Sequence, residues 1–434
     1  MADLLALSSQ IIDSGVAPGP VNRVTHELSE IADGVAMVEA FSHSVVFRTD
    51  DGLVVFDTSG AQGGKLVVDA IRGWSKQPFD TLVYTHGHID HVGGCGAFLV
   101  DAAVAKARRP RIVGHENVPR RFDRYDLTNG YNQIINARQF RGLSGRGYGI
   151  GGDGRFLPAD SAKPDVTYST HLGLTVGGVA FDLHHAKGET DDHTWAWVPS
   201  LKAICAGDFF IWNFPNAGNP QKVQRYPVEW AAAMRAMAAM DAELFLPAHG
   251  LPIQGRERIH RVLLEVADAL DKLVTETLAM MNAGARLNDI IHMVKVSPEV
   301  LARPYLRPLY DEPEFVVRNV WRMYGGWYDG NPANLKPARD RALATELAAL
   351  AGGALTLAKR AETLAQDGDL RLACHLVELA SLADPDNKTV HGIRAAVYQK
   401  RRDSETSLMA KGIYGHTAGE SLRAAGIEDP HARK

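Results

Sequence analysis

Cysteine is scarce in this sequence of 434 residues: Cys95, Cys205 and Cys374 are all there is, and no two form a Cys-x-x-Cys pair. So few and so scattered, they argue against a disulfide framework and against a cysteine-built zinc knuckle, and they fit reduced thiols in a cytoplasmic protein. An excess of one charge is also missing. The formal net charge is −4, with no long acidic or basic block, so the electrostatic footprint of a nucleic-acid partner is absent. No apolar run approaches the length of a membrane span. The opening stretch "MADLLALSSQIIDSG" has no basic leader and its apolar run soon breaks, so no signal peptide is expected. Low-complexity tracts and fixed-period repeats are lacking too, which excludes a solenoid array.

What remains is an ordinary globular composition, 45% apolar and 23% charged, in a chain long enough for roughly two to three domains. The first 60 residues look β-rich, and up to about residue 255 short apolar strands alternate with helices. "VAMVEAFSHSVVFRTDDGLVVFDTSG" reads as strands turning at "TDDG". "LTVGGVAFDLHH" and "TWAWVPSLKAICAGDFF" read as hairpins, "DTLVYTHGH" and "AELFLPAHG" as buried strands ending in polar residues, and "VEWAAAMRAMAAM" as a helix. Beyond residue 256 the strand pattern stops. A long amphipathic helix, "RERIHRVLLEVADALDKLVTETLAMMNAG", leads to further helices and then to a tetratricopeptide-like helix pair around Gly368 and "ADPDN". The expected domains are 1–285 and 286–434.

The chemistry concentrates in "THGHIDHVGG". His86, His88, Asp90 and His91 lie within six positions. Four adjacent donors cannot easily face one tetrahedral ion, but they can serve two, His86 and His88 on the first, Asp90 and His91 on the second. Other strand ends offer the missing donors: Glu189 in "KGETDDH" for the first ion, His249 in "LPAHG" for the second, and Asp208 in "CAGDFF" as a bridge. Asp191, Asp192, His193, His184 and His185 are alternatives to Glu189. Two divalent ions, three carboxylates and one hydroxide sum to zero charge, which a buried site tolerates best. Zinc suits such donors, with manganese or iron as alternatives. Asp57, at the end of the apolar run "VVFDTSG", is placed to orient one of the ligands. Asp90 and Asp208 are the expected catalytic carboxylates.

The motifs "VVFDTSG", "THGHIDHVGG", "AGD" and "PAHG", in that order, resemble the metallo-β-lactamase fold superfamily, an αββα sandwich with a binuclear site along one edge of its sheets. The third motif of that superfamily is usually G-H-T. This chain has G-E-T, and a carboxylate there is similar to the alkylsulfatase branch. "NVWRMYGGWYDGNPANLKP" and "DGDLRLACHLVELASLADPDN" resemble the alkylsulfatase dimerisation domain. Two departures stand out: "GETDDH" replaces a longer segment with two glutamates, and Asp208 stands where those enzymes usually carry Glu. The resemblance implies a sandwich followed by an all-α dimerisation domain, a homodimer, two zinc ions per chain, and hydrolysis of alkyl sulfate esters.

For the substrate anion, "RRFDRYDLTNGYNQIINARQF" offers Tyr131, Asn132 and Arg138, with Arg121 and Arg124 nearby, on what reads as a loop. "FFIWNFP", with its four aromatics, fits either a pocket for an apolar chain or buried core. His43 is expected to be structural. Other readings are hydrolysis of a phosphodiester or lactone on the same metals, and a dimeric metal-binding protein without turnover. Retention of every expected donor argues against the last.

Overall fold

The computed structural model describes residues 3–140 and 154–429. Two sheets form the first part of the chain. One runs β1 (Leu28–Ala32), β2 (Val35–Val38), β3 (Ser44–Thr49), β4 (Gly52–Phe56), β5 (Phe79–Val83), β6 (Arg111–His115) and β7 (Val166–Tyr168), in that spatial order. The other contains β8 (His171–Val176), β9 (Val179–His185), β10 (Thr194–Val198), β11 (Ala203–Gly207), β12 (Leu244–Pro247) and β13 (Ile253–Gln254), again in chain order across the sheet.

Local sequence explains the pairing. β1 to β4 are antiparallel and hairpin-linked, whereas β4 to β7 are parallel and so need crossovers, which helices Ala61–Trp74 and Cys95–Val104 supply between the first three of them. The β8–β9 hairpin turns on Gly177 and Gly178, both at positive φ (47° and 79°), the conformation a tight two-residue turn demands and glycine supplies without strain. Strand β4 is buried along its whole length, as expected for a strand covered on both faces.

One face of the first sheet packs on helices: Val46, Leu53, Val55 and Leu82 meet Val67, Val68, Ile71, Phe98 and Phe122. Its other face meets the second sheet through Phe47, Val54, Phe56 and Val83 against Phe181, Leu183, Ala196, Cys205 and Leu246. Helices Pro227–Ala238 and Arg256–Asn282 pack together, the longer one against β12 and β13. The result is the αββα sandwich. Phe181 is fully buried between the sheets, and removing such a ring costs about 3–5 kcal/mol.

Three segments differ from the sequence reading. Leu4–Ser14 is a helix, capped by Asp3 through Ala6 N, where a β-rich start was expected. Asn117–Leu127 and Asn129–Gln139 are helices, where a loop was expected. Val118, Phe122 and Tyr125 stand at i, i+4 and i+7, the spacing of a helix face, and bury that face of the first of these helices against the core. "FFIWNFP" is core: Phe209, Phe210, Trp212 and Phe214 are all buried.

By internal contacts the described residues divide into two compact units, one of 3–133, 154–285 and 289–324, the other of 134–140, 286–288 and 325–429. The second is helical, with Asp340–Leu350, Ala354–Gln366, Leu370–Ala383, Lys388–Ser404 and Leu408–Ala425. Gly368 at φ 94° breaks the chain, and Asp369 then caps the next helix through Leu372 N. Asn387 and Ser407 cap the two that follow. Among the described residues no single helix is long and apolar enough to cross a membrane.

Candidate metal centre

The seven expected donors fall on the connections that follow β5, β9, β11 and β12, with Asp90 and His91 on the short helix Ile89–Val92. His86 follows β5, Asp208 follows β11, His249 follows β12, and Glu189 lies in the β9–β10 connection. They converge into two groups of potential ligand atoms. His86, His88, Glu189 and Asp208 form one, and Asp90, His91 and His249 the other, each with its atoms within 4.8 Å of one another. Asp208 stands between them. Its Oδ2 lies 3.3 Å from His91 Nε2 and 3.8 Å from His86 Nε2, and its Oδ1 lies 3.3 Å from His249 Nε2. Asp90 Oδ2 is 3.5 Å from His249 Nε2, and Glu189 Oε1 is 3.5 Å from His88 Nδ1.

The surroundings fix these donors. His91 Nδ1 donates to Asp57 Oδ2 at 2.7 Å, which turns Nε2 towards the cluster. Asp57 also accepts from Thr85 N and Thr85 Oγ1, and its backbone takes φ 60°, costly for a residue with a Cβ. Asp57 is the residue expected to orient a ligand, and His91 is the expected donor that its carboxylate touches. His43 donates Nε2 to Gly250 O and N to Ala248 O, bracketing His249. Burial drives its ring down to about 3, so it is neutral.

Gly87, between the two histidines, has no room for a side chain: a Cβ there would lie 2.9 Å from both Arg121 Cδ and Asp192 Oδ2. Its N–H donates to Asp192 Oδ2 at 3.0 Å, and Arg121 Nε donates to the same oxygen at 2.8 Å. Asp192 is buried, which disfavours its charge, but Arg121 holds the carboxyl at about 2. His193 Nε2 accepts from Asp208 N, and the ring stacks on Phe209 at 4.5 Å. Asp192 and His193 are thus braces for the donor loops. His184 stacks on Trp195 and His185 on His115. Asn216 Nδ2 and Arg225 both reach Glu189: the amide donates to Oε1, and the guanidinium lies 3.2 Å from Oε1 while donating to the Glu189 carbonyl.

The donor set fits divalent cations. His91 Nε2 and Asp208 Oδ1 are buried without a hydrogen-bond partner. Burial opposes charge on His249, yet Asp208 and Asp90 pull it up to about 10, and His91 is likewise drawn well above its usual range by Asp208, Asp57 and Asp90. Burial pushes Glu189 up to about 8 against the pull of Arg225, with Asp208 and Asp90 adding to the rise. The pocket therefore attracts positive charge, and cations there would ionise Glu189 and free both imidazoles to coordinate. His86 and His88, held neutral first by burial, are already in the ligating form.

Tyr131, Asn132 and Arg138, expected to bind the anion, lie on the helix Asn129–Gln139. Tyr131 is 59% exposed. Asn132 Nδ2 donates to Thr128 O and Oγ1. Arg138 belongs to the second compact unit. Arg121 pairs with Asp191 and Asp192, while its Nη1 is buried without a hydrogen-bond partner. Among the described residues, Arg225 and Lys222 are cations that act on the cluster. Burial and Arg225 lower Lys222 to about 7, while Glu189 and Asp90 act on it in the opposite sense. Neither carries a motif in the sequence, since each reaches the site only through the loop that folds back after β11.

Residues 38–249 match the metallo-beta-lactamase superfamily, and residues 286–424 match the alkyl sulfatase dimerisation family. The chain is a metallo-β-lactamase superfamily protein with an alkyl sulfatase dimerisation region. More particularly, its relatives are alkylsulfatases. It is 27% identical over 377 residues to a linear primary-alkylsulfatase of Pseudomonas sp. (strain ATCC 19151), covering 82% of this chain and 69% of that one. It is 27% identical over 391 residues to an (R)-specific secondary-alkylsulfatase of Pseudomonas sp., covering 85% and 58%. The solved structure of a stereoselective inverting sec-alkylsulfatase from Pseudomonas sp. superposes with a TM-score of 0.80 at 23% identity, over 93% of this chain and 66% of that one, and confirms the fold. The chain spans between 57% and 69% of the length of the curated relatives it matches.

Proposed function

We propose that this protein is a binuclear metal-dependent hydrolase of alkyl sulfate esters, working as a cytoplasmic homodimer with zinc in both positions. The observation that carries the reading is the pair of donor clusters with Asp208 between them, in a chain whose relatives are named alkylsulfatases. His86, His88 and Glu189 would hold one ion, Asp90, His91 and His249 the other, and Asp208 both. Two divalent ions in such a site acidify bound water towards neutral pH and offset charge on the leaving group.

The chain's own groups do the rest. Asp57 keeps His91 in one tautomer through Nδ1. Burial opposes charge on Asp208, but His91 and His249 hold its carboxyl well below the usual range, so it stays ionised between the clusters and suits a ligand shared by both ions. Arg225 and Lys222 supply positive charge for the sulfate oxygens. Lys222 sits near its midpoint at neutral pH, and a bound anion would draw it back to the charged form. The family match at residues 286–424 supports the dimer.

The test is a panel of dodecyl sulfate, a phosphodiester and a lactone offered to the zinc-loaded protein. Sulfate release from the first, abolished in His86→Ala and in Asp90→Ala, supports the reading. Turnover of a phosphodiester or lactone without dodecyl sulfate would keep a hydrolase and remove the sulfatase.

A further inference from the structure

Glu189 is held by two side chains, Asn216 and Arg225, and both lie on the loop between β11 and helix Pro227–Ala238. That loop is gripped in turn by a later stretch of chain. Asp311 is fully buried, and its Oδ2 accepts from Gly218 N at 2.6 Å and Asn219 N at 3.1 Å. Gly218 packs so closely that a Cβ would lie 2.4 Å from the Phe315 carbonyl carbon and 2.5 Å from Val316 N. Further along, Asn319, also buried, clasps the Arg225 backbone from both sides: Arg225 N donates to Asn319 Oδ1 at 3.3 Å, and Asn319 Nδ2 donates to Arg225 O at 2.9 Å. Gln224 Nε2 donates to Asn319 Oδ1 at 3.1 Å, and Arg322 Nε donates to Gln224 Oε1 at 3.1 Å.

These gripping residues lie within 286–424, the stretch matched as the dimerisation region, yet Asp289–Tyr324 belongs to the same compact unit as the donor clusters. We infer that Asp311 and Asn319 are positioning residues for the metal centre: Asp311 acts through Asn216, Asn319 acts through Arg225, and both set the Glu189 carboxylate. The inference rests on the reading of Glu189 as a ligand. It makes the start of the dimerisation region a working part of the site, so that the region serves more than subunit contact.

The test is zinc binding, measured by titration against a chromophoric chelator, on the full-length chain. Glu189→Gln defines the signature of losing the first cluster. Asp311→Asn and Asn319→Ala should reproduce it in weaker form, lowering affinity for one of two ions by about 10–100-fold and leaving the other unchanged. Circular dichroism and solution mass should stay those of the wild type. If Asn319→Ala does not fold, Asn319→Asp takes its place in the titration, since it keeps the acceptor for Arg225 N and loses the donor to Arg225 O. Wild-type affinity at both positions, or loss of both ions together, would overturn the inference. Two zinc ions bound by the wild type without sulfate release would sink the sulfatase reading alone, and a wild type that takes up no zinc would sink both.

Discussion

Arg121→Met offers a quantitative check on how the histidine loop is held. Arg121 and Asp192 are both nearly inaccessible, with side chains 2% and 0% exposed, and their contact is 2.8 Å long. Methionine preserves the aliphatic stem and removes the charge, leaving the Asp192 carboxylate buried with the Gly87 N–H at 3.0 Å as a remaining donor. Breaking a buried pair from one side costs about 3–5 kcal/mol. An independent route agrees in scale. Asp192 is held at about 2 against 3.8 for the free side chain, which makes its ionised form worth about 2 kcal/mol to the folded state. The sign follows from the depressed value: this stability is present above pH ~4 and is lost as pH falls towards 2. Denaturant unfolding at pH 7 should therefore place Arg121→Met about 3 kcal/mol or more below the wild type. The double variant Arg121→Met/Asp192→Asn should recover much of the loss, because no buried charge is stranded. A loss under about 1 kcal/mol for the single variant, the range of an exposed pair, would refute the claim that this pair braces the loop.

Other outcomes follow from the same contacts. Asp57→Asn removes the negative charge and leaves one acceptor oxygen for Thr85 N, Thr85 Oγ1 and His91 Nδ1, and should weaken zinc binding by about 10–100-fold with the fold intact, read by chelator competition. Gly94→Ala would put a Cβ 2.0 Å from Thr58 O and 2.8 Å from Gly64 Cα, so thermal unfolding should show a loss of at least about 1–3 kcal/mol. Lys222 loses its charge as pH rises through about 7. Inhibition by a non-hydrolysable alkyl sulfonate should accordingly weaken above pH 7 in the wild type and vary less with pH in Lys222→Met.

The sequence carried the donors further than their supports. His86 to His91, Asp208 and His249 could be read because metal donors stood at the ends of apolar runs, and the β8–β9 and β10–β11 hairpins because turn chemistry is local. Glu189 was legible from its motif, although five neighbouring residues offered equivalent chemistry. What separates Glu189 from Asp192 and His193 is tertiary: Asp192 faces Arg121 and Gly87, and His193 faces the Asp208 backbone. Arg225, Asn216, Asp311 and Asn319 had no local signal, because each acts across a long sequence separation. Tyr131 and Asn132 stand in a stretch that reads as a polar loop, and that stretch is helical, with Tyr131 at the surface and Asn132 donating to Thr128 O.

The central claim is that two metal positions sharing Asp208 hydrolyse a sulfate ester. Its most direct measurement is sulfate release from dodecyl sulfate while metal-free protein is titrated with zinc. Activity should rise until two equivalents per chain are bound and then stop. Saturation at one equivalent would contradict the binuclear site, and no release at two would contradict the sulfatase.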